Sequence, residues 1–176
     1  MSYYFLSSDI DQIDDKIWLG NYEAARNITD LKAKGIKKIL SVLDYLQMPE
    51  YDKKDFIHKK ILIPDFYDEN IIQYFGECLN FIKGKERILV HCMAGSSRSA
   101  TIVIAYLMWT QKWKYPEAHK FTQSKRSITS PNDGFIEQLK MFEKLLIEND
   151  YNIDKINFKD IKWEVTEEFK KDHFLF

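Results

Sequence analysis

The run from Ile88 to Trp109 constrains this chain more than any other. Ile88-Leu89-Val90 is a short, wholly apolar strand, His91-Cys92-Met93-Ala94-Gly95-Ser96-Ser97-Arg98-Ser99 is a turn rich in small residues, and Ala100 to Trp109 is apolar enough for a buried helix. A strand covered on both faces belongs in the middle of a parallel sheet, and a helix leaving it through a tight loop packs back over that sheet. The loop also has chemical meaning. Successive amides that end on a helix N-terminus form a concavity for anions. Gly95 has no Cβ and permits a positive φ, and Arg98 offers a planar fork for two phosphate oxygens. The same field favours the anionic form of the Cys92 sulfur, which is then a nucleophile for phosphorus.

His91-Cys92-x-x-Gly95-x-x-Arg98-Ser99 resembles the signature of the cysteine-dependent protein phosphatases, and the filling of this loop is most similar to the compact dual-specificity branch. Ile17-Trp18-Leu19-Gly20-Asn21 and Ser130-Pro131-Asn132-Asp133-Gly134-Phe135 resemble two further stretches of that family, so the likeness covers roughly residues 10 to 148. It implies Cys92 as nucleophile, Arg98 and the loop amides of Met93, Ala94, Gly95, Ser96 and Ser97 as the phosphate cradle, and Ser99 as a hydrogen-bond donor to the departing sulfur. His91 is implied to brace the loop, and Asn132 to hydrogen-bond to it from behind. The plain alternative for Asn132 is a helix N-cap. A general-acid aspartate is expected on the loop after the strand Ile57 to Pro64. Alignment of the flanking Ile-Pro and Asn-Ile-x-x-Tyr-Phe runs puts it at Asp65, with Asp68 as the rival. Lys125 and Arg126 read as a solvated helix end, or else as a site for a second phosphate.

The expected fold is α/β, a central, mostly parallel sheet of roughly five strands flanked by helices. Ile10 to Leu19 reads as two short strands turning at Asp14-Asp15, and Ile36 to Leu43 and Arg87 to Val90 as core strands. Helices are expected at Asp30 to Lys34 with Thr29 as N-cap, at Glu69 to Lys83, from Tyr115 to about Lys125, and after an opening at Ser130 to Phe135. Residues 1–148 are expected to form the catalytic domain. Residues 149–176 form an extension too aromatic for a disordered tail, packed on the domain or on a second copy in a homodimer. Within it, Ile161, Trp163 and Val165 alternate with polar residues, which predicts a strand.

With 26 basic and 27 acidic residues among 176, net charge is -1, and no global field recruits nucleic acid or an anionic membrane. No apolar run is long enough for a membrane span, the first residues lack a secretory pattern, and no lipidation motif stands at either end, so no membrane anchor is expected. Two cysteines, Cys78 and Cys92, suit a reducing compartment, the cytoplasm with the nucleus also open. Cys78 lies on a helical apolar stripe and reads as a core thiol. The histidines show no metal-ligand spacing, and neither metal nor cofactor is expected.

The reaction the resemblance implies is hydrolysis of phosphotyrosine and phosphoserine/phosphothreonine in a phosphorylated protein. A phosphoinositide phosphatase and a non-catalytic phospho-binding module are the alternatives. A cysteine protease pairing Cys92 with His119 has no use for Gly95 and Arg98.

Overall fold

The computed structural model describes residues 8–44 and 50–173, with the side chains of Asp172 and His173 left out. Residues 1–7, which include most of the N-terminal stretch read above for a leader, and Phe174 and Phe176 of the aromatic tail lie outside the described residues.

Five strands form one sheet: β1 (Ile10–Gln12), β2 (Ile17–Gly20), β3 (Ile36–Leu43), β4 (Ile57–Leu62) and β5 (Arg87–His91). Their spatial order is β1-β2-β5-β3-β4, antiparallel only between β1 and β2. The apolar strand that carries the loop is therefore central. Its residues alternate between two cores, as a strand's side chains must. Ile88 and Val90 join Leu40, Val42, Phe75, Ile102 and Phe142 on one face, while Leu89 packs with Ala25, Leu31, Ile39 and Phe56 on the other.

The smaller face is covered by α1 (Tyr22–Arg26) and α2 (Ile28–Ala33). Asn27, not Thr29, caps α2, because its side-chain oxygen accepts from the Asp30 amide. Two consecutive short helices share this turn, a hand-over that an isolated cap pattern does not reveal. The larger face carries α3 (Phe75–Ile82), α4 (Arg98–Gln111), α5 (Tyr115–Lys125) and α6 (Asp133–Glu148). The helix expected from Glu69 begins later, after a single 3-10 turn at Ile72–Tyr74. Cys78 is fully buried in the large core as a free thiol, where burial pushes its pKa up.

The expected strand at 161–165 is absent. Two 3-10 turns, Ile153–Lys155 and Phe158–Asp160, lead into irregular chain and then α7 (Glu167–His173). Ile153 and Phe158 enter the large core, and Phe158 lies so close to Gly76 that a Cβ there would sit 2.6 Å from its ring. The segment at 161–165 lies over the loop after β4 and α6, and its alternation reflects half-burial without ladder pairing. No helix of the described residues is long and apolar enough to cross a membrane.

Candidate active site

Residues 92–97 connect the end of β5 to the first turn of α4, and their carbonyl groups all have partners outside the loop. Met93 O accepts from the Tyr22 amide at 3.0 Å, Ser96 O from the Ser130 amide at 2.8 Å, and Ser97 O from the Thr101 amide at 2.8 Å. Gly95 O and Ala94 O accept from Arg126 at 2.8 and 3.3 Å. In a planar trans peptide the N–H points opposite to the C=O, so drawing these oxygens outward turns the amides of Ala94 to Ser97 inward. Gly95 makes this curl possible, with φ at +69° and the Gly20 carbonyl oxygen 2.4 Å from where a Cβ would sit.

Arg126 is thus a structural brace. It is 1% exposed, and its Nη1 also donates to Asp11 Oδ2 at 2.6 Å and to Ser8 O at 2.7 Å. For Arg126 this corrects the solvated-end reading, which holds for the exposed Lys125, and a guanidinium already serving four acceptors is not a site for a second phosphate. Lys125 lies over the Phe121 ring. Nothing in the helical pattern flagged Arg126, because it follows the last helical residue and its partners come from Ser8, β1 and the loop.

Cys92 is buried at the floor of the loop. Its Sγ accepts from the Gly95 amide at 3.2 Å and from the Ser99 hydroxyl at 3.1 Å. Arg98 is also buried: Nη1 donates to Ile63 O at 3.1 Å, while Nε makes no hydrogen bond among the described residues and lies 3.5 Å from Asp65 Oδ2. A buried guanidinium donor without a partner is costly unless an anion completes it.

Asp65 Oδ1 is held twice, accepting from Ser97 Oγ at 2.7 Å and from Asn132 Nδ2 at 2.8 Å. Asp68, on the same loop, makes no such contact to residues 92–99. The Ser97 hydroxyl was expected only as part of the loop, yet it both donates to Asp65 and accepts from the Asn132 amide at 3.1 Å. Asn132 also caps α6, its Oδ1 accepting from the Phe135 amide. The two readings of Asn132 are compatible, because its oxygen and nitrogen serve different partners.

Behind the loop, His91 is fully buried, and Nδ1 donates to Cys92 O at 3.3 Å. Its Nε2, 2.6 Å from Ser41 Oγ, then accepts from that hydroxyl, whose oxygen accepts from His58 Nε2 at 2.8 Å. Burial pulls His91 down to about 4; burial, with Lys60 nearby, does the same to His58. Met93 and Ala94 are exposed at the rim. Among the described residues no group of three or more His, Cys, Asp or Glu side chains is arranged to hold a metal.

A family model described as the dual specificity phosphatase catalytic domain matches residues 17–145. The chain belongs to the dual specificity phosphatase family. Dual specificity protein phosphatase 1 of Arabidopsis thaliana is 40% identical over 136 residues, which cover 75% of this chain and 68% of that protein. Dual specificity protein phosphatase 1B of the same plant is 37% identical over 140 residues, 77% of this chain and 83% of that one. The crystal structure of DUSP15 superposes on the phosphatase with a TM-score of 0.71 at 29% identity, covering 81% of this chain and 96% of its own. The matched segment of the phosphatase takes in the loop, His91, Arg126 and Asn132, and stops before the C-terminal extension.

Proposed function

We propose that this phosphatase hydrolyses phosphotyrosine and phosphoserine/phosphothreonine in protein substrates through a phosphocysteine at Cys92. The carrying observation is the combination on one loop of a sulfur that accepts two donors, Gly95 N–H and Ser99 Oγ, and a buried Arg98 whose Nε makes no hydrogen bond among the described residues and lies 3.5 Å from Asp65 Oδ2. In the first step Sγ attacks phosphorus and the P–S bond forms as the ester P–O bond breaks. Asp65 gives its proton to the leaving oxygen, a contribution of about 10²–10⁴ in rate. With Oδ1 occupied by Ser97 and Asn132, Oδ2 is the oxygen left to carry that proton. In the second step the Asp65 carboxylate takes a proton from water as water attacks phosphorus, and the P–S bond breaks to return the thiolate under the Ser99 hydroxyl. The inward amides and Arg98 hold the equatorial oxygens throughout.

Protein substrates are favoured over phosphoinositides because the loop positions Met93, Ala94, Ser96 and Ser97 are neutral and supply no cation for further phosphates. Such a reactive thiol suits the reducing cytoplasm or nucleus. The test compares wild type, Cys92→Ser and Asp65→Asn on a phosphotyrosine peptide, a phosphoinositide, and an aryl phosphate with a good leaving group. Only Cys92-containing protein should turn over, and Asp65→Asn should slow the peptide more than the activated ester. Equal slowing would move the acid to Asp68 or water, and faster phosphoinositide turnover would overturn the substrate class.

A further inference from the structure

The loop that bears Asp65 has almost no structure of its own. Between Asp65 and Asn70 its one internal backbone bond is Glu69 N–H to Phe66 O at 3.2 Å, so its position is set from outside. Ser97 and Asn132 hold the inner end. The outer end is held by α6 and by the chain beyond it. Gly134 lets the Tyr67 backbone touch α6, where a Cβ would sit 1.8 Å from Tyr67 O, and Gln138 donates to Glu69 O at 2.9 Å. Residues past the matched domain complete the enclosure. The Trp163 indole donates to Tyr67 O at 2.8 Å, and Ile161 O accepts from Asn70 Nδ2 at 2.7 Å. Phe169 of α7, itself buried, stacks on the Tyr67 ring at 6.0 Å and meets Trp163 edge-on at 5.8 Å.

We propose that the C-terminal extension is a strap that positions the acid-bearing loop, with Trp163 and Asn70 as its positioning residues. The inference rests on the assignment of Asp65 as general acid made above. Proton transfer demands hydrogen-bond reach to the leaving oxygen, and a displacement of about 1 Å from a residue remote from the chemistry can cost about 10²-fold. Both strap bonds fall within five residues of Asp65, on a segment with little stiffness to absorb their loss. The extension therefore acts on the protonation step and leaves the phosphate cradle untouched.

The test uses the full chain with Trp163→Phe, which keeps the ring packing and removes the indole donor, and separately Asn70→Ala. Each should lower kcat on a phosphotyrosine peptide by about tenfold with KM unchanged, and alter the activated aryl phosphate by less than about twofold. Neither should cost anything further in an Asp65→Asn background, as for groups acting through one residue. Unchanged peptide turnover in both variants overturns the strap, as does equal loss on both substrates in protein that keeps its thermal midpoint. Asp65→Asn run alongside separates the two assignments. If it slows the peptide selectively and neither strap variant does, the strap alone falls. If it slows both substrates alike, the acid assignment falls first and takes the strap with it.

Discussion

Arg126 is a fully buried cation that holds the loop by its carbonyl oxygens. Its guanidinium holds two loop carbonyls and the Asp11 carboxylate, so Arg126→Met releases the oxygens that keep the amides turned inward and leaves Asp11 without its cation. Asp11 is about one-quarter exposed, which softens the penalty of an unpaired charge. Chemical denaturation should register a loss of about 3 kcal/mol, and phosphatase activity should fall at least tenfold even at temperatures where the variant is folded, a factor of about ten being only 1.4 kcal/mol in the barrier. Unchanged activity in folded protein would show that the loop keeps its shape without the brace. His91 leads to a second residue-scale prediction. Its folded-state pKa of about 4 lies below the ordinary value of 6.5, so between those limits the unfolded chain binds more protons than the native one. Stability therefore rises with pH from about 4 to 6.5 and is flat above, with His91 contributing on the order of 3 kcal/mol across that window. His58, lowered by its own burial and by Lys60, adds to the same slope. Unfolding midpoints measured through this range should show the rise, shallower in His58→Gln, and an unchanged slope in that variant would contradict the paired-histidine account.

At the scale of elements, the order strand, loop, helix was legible because three apolar residues, a glycine and a long apolar run leave little else for residues 88–109 to do. The parallel core strands followed from the same logic. Less legible were features made by contacts between distant segments. Thr29 looks as good a cap as Asn27 until α1 is known to end at Arg26, with Asn27 as the cap shared by the two helices. Ile161, Trp163 and Val165 alternate as a strand does, but here the alternation places Ile161 and Trp163 against the loop after β4 while the chain stays irregular. Asp65 and Asn132 were singled out by likeness to a family; the hydroxyl of Ser97 that contacts both was not, because a serine in a loop of small residues carries no signal of its own. Gly134 belongs to this scale as well, since it decides how near α6 comes to the loop bearing Asp65. Gly134→Ala must push Tyr67 away, and should lower stability by about 1–3 kcal/mol, as overpacking does. A thermal midpoint equal to wild type would mean that the two backbones separate freely.

Across the whole molecule, the extension is tied into the large core as well as to the acid-bearing loop. Phe158 packs on Gly76 and Phe142, and Ile153 is buried among the residues of the same core. Removal of residues 150–176 takes Phe158 away from Gly76 and Phe142 and should cost at least about 3 kcal/mol, judged from the usual penalty for losing one large buried side chain. A denaturation midpoint unaffected by the truncation would make the extension a passenger. A phosphocysteine at residue 92 is open to direct detection by rapid quenching of the Asp65→Asn protein during turnover of a phosphotyrosine peptide. Mass spectrometry of the quenched protein should find a phosphoryl group on Cys92, absent in Cys92→Ser. Turnover with no covalent adduct, or with the phosphoryl group on any other residue, would contradict the account.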